Sequence, residues 1–504
     1  MMDLTIAEIA RACGGELVLQ GRKSGDFVCS VVLDSRKVEA GGVFIATVGE
    51  RVDGHRFIPE VFGKGVYLVI TQKTPEQVEA ECGVPAENWR SYLLVEDTLY
   101  ALKNLAEYYR SKLKIPIVGI TGSVGKTSTK EFIAGLLREK FHVLKTQGNY
   151  NNEIGVPLTL LSIREEHTAA VVEMGISDFG EMHRLSRMVR PNICVITNIG
   201  QCHLENLKDR EGVLKAKLEI LDFMDENGEV CFWGEDDLLR SLSGGVLRGK
   251  CLDSGGKQGI PHYFGLGEQD GEEVWAEEIT SQGLLGNNVV FCRKQKDDWV
   301  DRFFVHIPLP GKHMVINGAA AVCVAGLLGL STEEITRGLI GLKSTEGRGQ
   351  LAHIGGRVVI DSCYNANPVS MKASLDLLAL ADNEKVAILG DMYELGEDAK
   401  EMHEDVGQYA AESGAQIILC VGKMAQHMYI AASEKASQLF ENTTGAGEQR
   451  IYWFETLDKM LEEFENYPDD YLPADCTILV KASRAMHFEK ILEWLGKNSE
   501  DVKA

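Results

Sequence analysis

Hydrophobic residues recur along this chain as short β-branched runs that alternate with stretches of helical spacing. The run at 115–120 predicts a buried strand, and the spacing of Phe132 and Leu136 after it predicts a helix. Similar runs at 169–172 and 193–197 predict further strands with helices between them. Strands that alternate with helices in this way predict a parallel sheet, and hence an α/β fold.

The same pattern divides the chain into three predicted units, at 1–112, 113–344 and 345–504. The first unit is predicted to be an α/β domain with short strands and a closing helix. Its predicted elements are strands at 31–33, 42–46 and 67–70 and a helix at 98–113.

The central unit begins with the strand at 115–120 and ends in alternating sequence that turns interrupt. The stretch at 254–310 is rich in glycine and predicts an antiparallel addition at the edge of the parallel sheet. A helix is predicted at 317–328, and Ser331 with Glu334 three residues later predicts a capping box that starts the next helix.

The third unit contains five β-branched runs that alternate with helical segments. This arrangement predicts a doubly wound sheet of the dinucleotide-fold type. The predicted strands lie at 357–360, 386–389, 417–421, 451–454 and 477–480.

Composition narrows the function classes. At 504 residues the chain is too long for one hydrophobic core, and about three domains are expected. A formal net charge of −23 argues against nucleic-acid binding as the main task, since that needs a basic face. The sequence contains no run of about 18 apolar residues, so no membrane span is predicted. The 12 cysteines include no C-x-x-C pair, which favours reduced thiols in the cytoplasm, and we find no secretory signal.

The turn after the first strand of the central unit carries the strongest chemical signal. Glycines followed by Lys126 and Thr127, between a strand and a helix, predict a phosphate-binding loop. The backbone N–H groups face the anion, the lysine reaches the terminal phosphates and the threonine hydroxyl ligates Mg²⁺. Ile120 stands where the general motif has its first glycine, so the spacing departs from that form. The predicted loop comprises Gly122, Ser123, Val124, Gly125, Lys126, Thr127 and Ser128.

Other polar residues follow predicted strands. Glu173 ends the strand at 169–172, where ligands of open α/β sheets bind, so it is placed to hold Mg²⁺ near the phosphates. His203 follows the next strand, and taken alone it is better explained as a structural histidine than as a ligand. Lys217 lies on a helix with Lys215, and two lysines there are typical of a solvated face.

Two further candidates lie at the start of the third unit. Arg348 stands between two glycines and suits a phosphate clamp, and Asp361 ends a strand where a carboxylate could accept ribose hydroxyls.

In the central unit, asparagines at 149, 151 and 152 form a polar loop, which turn formation alone could explain.

Taken together, these strings resemble the Mur ligases of bacterial cell-wall synthesis over nearly the whole chain. The matching strings lie at 34–36, 41–46, 53–57, 121–128, 148–152, 172–175, 198–205, 311–320, 347–350, 361–368, 390–396 and 479–484. In the last string Ala482 replaces the glycine that is usual in this family.

The resemblance implies roles for individual residues. The catalytic set is Lys126, Glu173, His203 and Lys217, and the metal set is Thr127, Glu173, His203 and Lys217, with Lys217 carbamylated. Beside the loop, nucleotide contacts are implied for His313, Asn317, Arg348 and Asp361. Substrate contacts are implied for Ser35, Arg36, Asp53, Gly54, His55, Asn152, Tyr364, Asn365 and Asn367.

The resemblance also implies a reaction that uses ATP and Mg²⁺. The string at 361–368 is similar to that of the family member that adds D-alanyl-D-alanine to a UDP-N-acetylmuramoyl tripeptide. The implied enzyme is a cytoplasmic, monomeric, ATP-dependent amide-forming ligase with these two small-molecule substrates. Two alternatives stay open: a related ligase with another acceptor, such as another muramoyl peptide step or folate polyglutamylation, and a nucleotide-driven switch that forms no bond.

Overall fold

The computed structural model describes residues 4–49, 52–242, 261–268, 271–295, 299–344, 346–442 and 449–499. Its strands form three sheets, and the α/β class predicted from the sequence is confirmed. The predicted unit boundary at 345, the start of the glycine-rich stretch at 254–260 and both chain ends lie outside the described residues.

The first sheet has 5 strands in the order β1-β5-β4-β3-β2. Four of them run parallel, while β1 pairs antiparallel with β5. The strands are β1 (Glu16–Val18), β2 (Val31–Val32), β3 (Val43–Ile45), β4 (Leu68–Thr71) and β5 (Tyr92–Leu94). The sequence prediction contained β2, β3 and β4 but lacked the outer pair, β1 and β5.

The central sheet has 9 strands in the order β14-β13-β12-β11-β10-β9-β6-β8-β7. They are β6 (Ile117–Thr121), β7 (Val143–Lys145), β8 (Ala169–Glu173), β9 (Ile193–Ile196), β10 (Glu229–Trp233), β11 (His262–Leu266), β12 (Glu272–Ser281), β13 (Asn287–Lys294) and β14 (Val300–Ile307). The antiparallel addition is present, but it begins later than predicted, because β11 pairs in parallel with both β10 and β12.

The third sheet has 6 strands in the order β15-β16-β20-β17-β18-β19, and all but β15 are parallel. They are β15 (Gln350–Ile354), β16 (Arg357–Asp361), β17 (Glu384–Gly390), β18 (Ile417–Val421), β19 (Arg450–Phe454) and β20 (Cys476–Lys481). All five predicted strands are present. The sheet has one more strand, the antiparallel edge strand β15, which was not predicted because its sequence is short and of mixed polarity.

Helices cover the sheets. Those described are Ile6–Cys13, Ile58–Gly63, Pro75–Cys82, Thr98–Lys112, Lys126–Leu137, Gly155–Leu160, Glu181–Val189, Leu204–Leu207, Arg210–Leu218, Asp237–Arg240, Lys312–Leu327, Thr332–Ile340, Pro368–Ala379, Ala399–Glu412, Ala425–Asn442, Leu457–Asn466, Pro468–Tyr471 and Glu489–Ser499. The helix predicted at 317–328 begins earlier, at Lys312, and the capping box of Ser331 and Glu334 is confirmed. In the described part of the chain, no helix combines the length and the apolar character that a membrane crossing requires.

The first two units share a hydrophobic core, whereas the third unit has cores of its own. One apolar cluster runs without a break from Leu4 in the first unit to Tyr263 in the central unit, and the helix Thr98–Lys112 lies within it. The sheet of the third unit is covered by two clusters of its own, and Leu204 and Leu284 of the central unit pack onto one of them. The first two units are therefore joined by buried apolar surface, which is the main stabilising contribution to such contacts.

Candidate active site

A cleft of about 1280 Å³ lies where the carboxyl ends of the central strands face the third sheet. This is the usual position of ligands in open α/β sheets. Its wall contains most of the predicted site residues: Ser123, Val124, Gly125, Lys126, Thr127, Ser128, Asn152, Glu173, His203, His313, Asn317, Arg348, Tyr364, Asn365 and Asn367. Gly122, Lys217 and Asp361 are not among the residues that line it.

The loop between β6 and the helix Lys126–Leu137 is held by side chains from the end of β9. Thr197 Oγ1 donates to the Val124 carbonyl at 2.6 Å, and the Asn198 amide both donates to that carbonyl and accepts from the Val124 N–H. Gly122 has a φ of 150°, and a Cβ there would lie 1.9 Å from Thr197 Oγ1. The close approach of the two segments therefore requires glycine at 122. Sequence analysis did not assign Thr197 or Asn198 to the site.

Lys126 is folded back over this loop. Its Nζ donates to the carbonyls of Gly122 at 2.7 Å and Ser123 at 3.3 Å. Burial lowers the pKa of Lys126, and the Glu173 carboxylate opposes that shift. An ammonium held at a glycine loop and a helix N-terminus provides the positive charge that terminal phosphates need.

Glu173 is the centre of a buried polar network. It is 1% exposed and accepts from Thr127 Oγ1 at 2.9 and 3.0 Å and from Asn151 Nδ2 at 2.9 Å. The ammonium of Lys130, also buried, lies 3.5 Å from its second oxygen. The structure thus brings Glu173 and Thr127 together, and the metal role of both stays a prediction. The contacts of Asn151 and Lys130 with Glu173 were not recognised in the sequence.

The hydroxyl of Thr127 and the carboxylate of Glu173 suit Mg²⁺, which prefers hard oxygen ligands. In the described ranges, no group of three or more His, Cys, Asp or Glu side chains is gathered as a metal site. The donors present therefore fit a partial site, in which Mg²⁺ keeps waters and binds phosphate oxygens as well.

His203 and Lys217 are the other two members of the predicted metal set. His203 has a φ of 53°, and its Nδ1 lies 3.0 Å from Glu394 Oε2 of the third unit. Lys217 is 1% exposed and forms no ion pair within the described part of the chain, whereas Lys215 is exposed. Burial lowers the pKa of Lys217 to about 8, and burial also lowers the pKa of His203. A solvated position is thus wrong for Lys217.

The remaining candidates for nucleotide contact lie in the first turns of the helix Lys312–Leu327 and at the start of the third unit. Burial lowers the pKa of His313 to about 4, so the ring is neutral near pH 7. Asn317 Oδ1 accepts from Thr129 at 3.0 Å. The Arg348 guanidinium stacks on the Tyr364 ring at 4.1 Å, and Asp361 Oδ1 accepts from the Cys363 N–H at 3.1 Å.

Three predicted substrate contacts have structural partners of their own. Asn367 caps the helix Pro368–Ala379, since its Oδ1 accepts from the Ser370 N–H at 2.9 Å. Asn152 Oδ1 accepts from the Gly155 N–H at 2.9 Å. The Asn365 carbonyl accepts from Lys481, a cleft residue to which the sequence analysis gave no role.

The candidates of the first unit do not line the cleft. Asp53 accepts from His55 Nδ1 at 2.6 Å and from Lys73 at 2.7 Å. Gly54 begins the short 3₁₀-helix that Asp53 caps. Ser35 is buried. Arg36 is exposed and pairs with the neighbouring Asp34. Their assignment to substrate binding stays a prediction, at a site separate from the phosphate loop.

The chain matches three family models over most of its length. The "Mur ligase family, catalytic domain" matches 28–110, the "Mur ligase middle domain" matches 120–325, and the "Mur ligase, glutamate ligase domain" matches 347–484.

Individual relatives match nearly end to end. The UDP-N-acetylmuramoyl-tripeptide–D-alanyl-D-alanine ligase of Bacillus subtilis is 34% identical, over 98% of both chains. The crystal structure of MurF from Acinetobacter baumannii superimposes with a TM-score of 0.81 at 30% identity, over 98% of both chains. The structure of MurF ligase from Thermotoga maritima in complex with ADP has a TM-score of 0.74 at 27% identity and covers 94% of this chain and 98% of its own.

Proposed function

Because the chain belongs to the Mur ligase family, we propose that it joins D-alanyl-D-alanine to the carboxylate of a UDP-N-acetylmuramoyl tripeptide. The reaction consumes ATP, forms an amide bond and serves peptidoglycan synthesis. The names of the relatives support this acceptor over another muramoyl peptide step or folate polyglutamylation. They also support a bond-forming enzyme over a nucleotide switch.

The observation that carries the proposal is the single cleft shared by the phosphate loop and the third unit. A ligase must bring a triphosphate, a carboxylate and an amine to one place. The loop at 122–128 would supply backbone donors for the triphosphate, and residues after β16, with the last residue of β20, form the facing wall. A cleft between units can exclude water from a reactive phosphate when they close.

The proposed chemistry has two steps. The terminal carboxylate of the tripeptide attacks the γ-phosphorus of ATP, and ADP leaves as an acyl phosphate forms. The free amine of the dipeptide then attacks the acyl carbon, passes through a tetrahedral intermediate and expels inorganic phosphate as it loses its proton. Positioning and neutralisation of charge supply most of the catalysis in such phosphoryl transfers.

Residues of the loop would perform the first step. Lys126 would leave the two loop carbonyls and stabilise the charge on the transferred phosphoryl group. Thr127 and Glu173 would hold Mg²⁺, together with His203 and a modified Lys217. When bound, the ion would polarise the phosphoryl oxygens as a Lewis acid.

Lys217 has the properties that carbamate formation requires. A neutral amine adds to CO₂, which forms an N–C bond and releases one proton. With a pKa of about 8 and full burial, the Lys217 amine is partly neutral near pH 7 and shielded from competing ions. We expect a carbamate carbon signal in ¹³C NMR of protein equilibrated with ¹³CO₂, and no such signal in Lys217→Ala.

The remaining assignments follow the family pattern. His313, Asn317, Arg348 and Asp361 would contact ATP, and Ser35, Arg36, Asp53, Gly54 and His55 would bind the UDP-sugar. Asn152, Tyr364, Asn365 and Asn367 would contact the peptide substrates. For Asn367 the observed cap and the proposed contact compete for the same side chain.

A variant at the phosphate loop tests the proposal. Lys126→Ala should abolish ATP-dependent ligation, measured by mass spectrometry of the muropeptide, and leave calorimetric binding of the UDP-tripeptide nearly unchanged. Lys385→Ala, at the opposite end of the third sheet from the cleft, is the matched control and should behave as wild type. Turnover retained in Lys126→Ala would refute the role of the loop lysine.

We also propose a cytoplasmic monomer divided at 112/113 and near 345. The described cysteines are free thiols, which supports a reducing compartment. Light scattering at two concentrations tests the oligomeric state, and mapping of the first proteolytic cuts tests the boundaries.

A further inference from the structure

Lys481 is a buried ammonium in the wall of the cleft. It ends β20, is 5% exposed and donates to the Asn365 carbonyl at 2.9 Å and, more weakly, to the Ser362 carbonyl at 3.5 Å. A lysine ammonium has three N–H donors. Two are directed at this loop, so one remains for a ligand in the cleft.

The ammonium of Lys481 lacks a direct ion-pair partner in the described part of the chain. Within the described ranges, neither Lys481 nor the nearby Arg348 forms an ion pair with a carboxylate. Burial, and then Arg348, lowers the pKa of Lys481 to about 7, while Cys363 and Asp361 oppose the shift. Buried charges are normally paired, so a lone cation in a ligand cleft points to an anionic partner.

An apolar surface adjoins this cation. The helix Pro368–Ala379 and the residue two before it present small and branched side chains to the same cleft: Ala366, Val369, Ala373 and Leu377. Ser374 on this helix donates to Ser362 at 3.4 Å, which ties the apolar wall to the loop that Lys481 contacts. The wall suits methyl side chains, and the lysine suits a carboxylate beside them.

We propose that Lys481 receives the C-terminal carboxylate of the incoming dipeptide, whose methyl groups lie against the adjoining helix. This inference rests on the proposed function and names the residue that recognises the acceptor. In this role, Lys481 would require that the dipeptide have a free carboxyl terminus. The ammonium donates its third N–H to a carboxylate oxygen, and no covalent step is involved.

The experiment compares two acceptors on wild type and two variants. D-Alanyl-D-alanine and its C-terminal amide differ only at the carboxylate. Lys481→Met removes the ammonium at similar volume, and Lys385→Met is the matched control on the same sheet. ATP binding by calorimetry checks that each variant is folded, and KM and kcat are measured for both acceptors between pH 6 and 9.

Wild type should prefer the acid over the amide by about 10- to 100-fold in kcat/KM, the range expected for a hydrogen bond between charged groups. Lys481→Met should lose this preference through a higher KM for the acid, and Lys385→Met should keep it. Because the ammonium is the binding form, the wild-type KM for the acid should rise above about pH 7, and that of Lys481→Met should not.

Equal use of acid and amide by wild type would overturn the inference without any variant, and so would a preference retained in Lys481→Met. Absence of product from wild type with all three reactants would overturn both this inference and the proposed function. Turnover with an unchanged acid-to-amide ratio in Lys481→Met would overturn the inference alone.

Discussion

Substitution of Gly122 by alanine should disable the phosphate loop while the rest of the protein stays folded. The added Cβ would lie 1.9 Å from Thr197 Oγ1, where ordinary contact begins at 3.4 Å, so one segment must move by about 1.5 Å. Thr197 is fixed by its 2.6 Å hydrogen bond to the Val124 carbonyl. The displacement therefore falls on the loop itself or breaks the bond that shapes it.

The cost has two parts. Overpacking of a tight contact costs about 1–3 kcal/mol. A non-glycine residue in a sparsely populated backbone region, here at φ 150°, costs a further 1–3 kcal/mol or so. If about half of the total, or about 1–3 kcal/mol, falls on loop geometry, kcat/KM for ATP drops roughly 5- to 150-fold, because each 1.36 kcal/mol is tenfold in rate.

The assay is phosphate release at varied ATP, with thermal unfolding as a check on folding. Gly63→Ala is the matched control, since Gly63 ends a helix and a Cβ there meets nothing within 4 Å. Thr197→Ala in the Gly122→Ala background should recover only the steric part of the loss. Wild-type kcat/KM in Gly122→Ala would refute the reasoning, and so would complete recovery in the double variant.

Three further predictions concern stability. Burial disfavours charge on His262, but its hydrogen bonds to Glu273 and Glu229 raise its pKa to about 9. This stabilisation is complete below the ordinary pKa near 6.5 and is lost as pH rises through 9. Because both carboxylates are half-exposed, we expect wild type to exceed His262→Gln by only about 1–2 kcal/mol in the free energy of unfolding at pH 6, measured in urea. An equal difference at pH 6 and pH 10 would contradict this prediction. Asn367→Ala should cost about 1 kcal/mol through loss of the helix cap, while Asn367→Ser keeps the cap; loss of turnover in a stable Asn367→Ser would instead indicate a substrate contact. Arg110→Met leaves carbonyls at the junction of the first two units without their donor and should lower the free energy of unfolding by about 2–4 kcal/mol, with no loss in hydrogen–deuterium exchange protection of the third sheet.

Elements with long, regular patterns could be predicted from the sequence. The strand, loop and helix at 117–137 are contiguous, so local hydrophobic periodicity and glycine placement define them together. Strands β1, β5 and β7 have three residues each and lack the paired β-branched residues that mark the equally short β2 and β3, and their pairing depends on neighbours far along the chain.

The same distinction applies to the site. The loop residues are consecutive, and Glu173 is placed by the end of its strand, so both could be located without the structure. Lys217 and Lys215 differ by two positions on one helix, and only packing decides that the first is buried and the second exposed. Lys481 enters the cleft because β20 lies between β16 and β17, an order that sequence spacing does not reveal.

The continuous core of the first two units has a consequence for how the substrates would be brought together. Separation of those two units would expose a large apolar core to water, whereas the third unit has cores of its own, on one of which the partly buried Leu204 and Leu284 of the central unit pack. In the proposed reaction the muramoyl substrate and the nucleotide would thus bind to two units that share one core, and the dipeptide would bind to a unit with cores of its own. A compound bound where Leu204 and Leu284 contact the third unit is expected to inhibit without competing with the muramoyl substrate or the nucleotide.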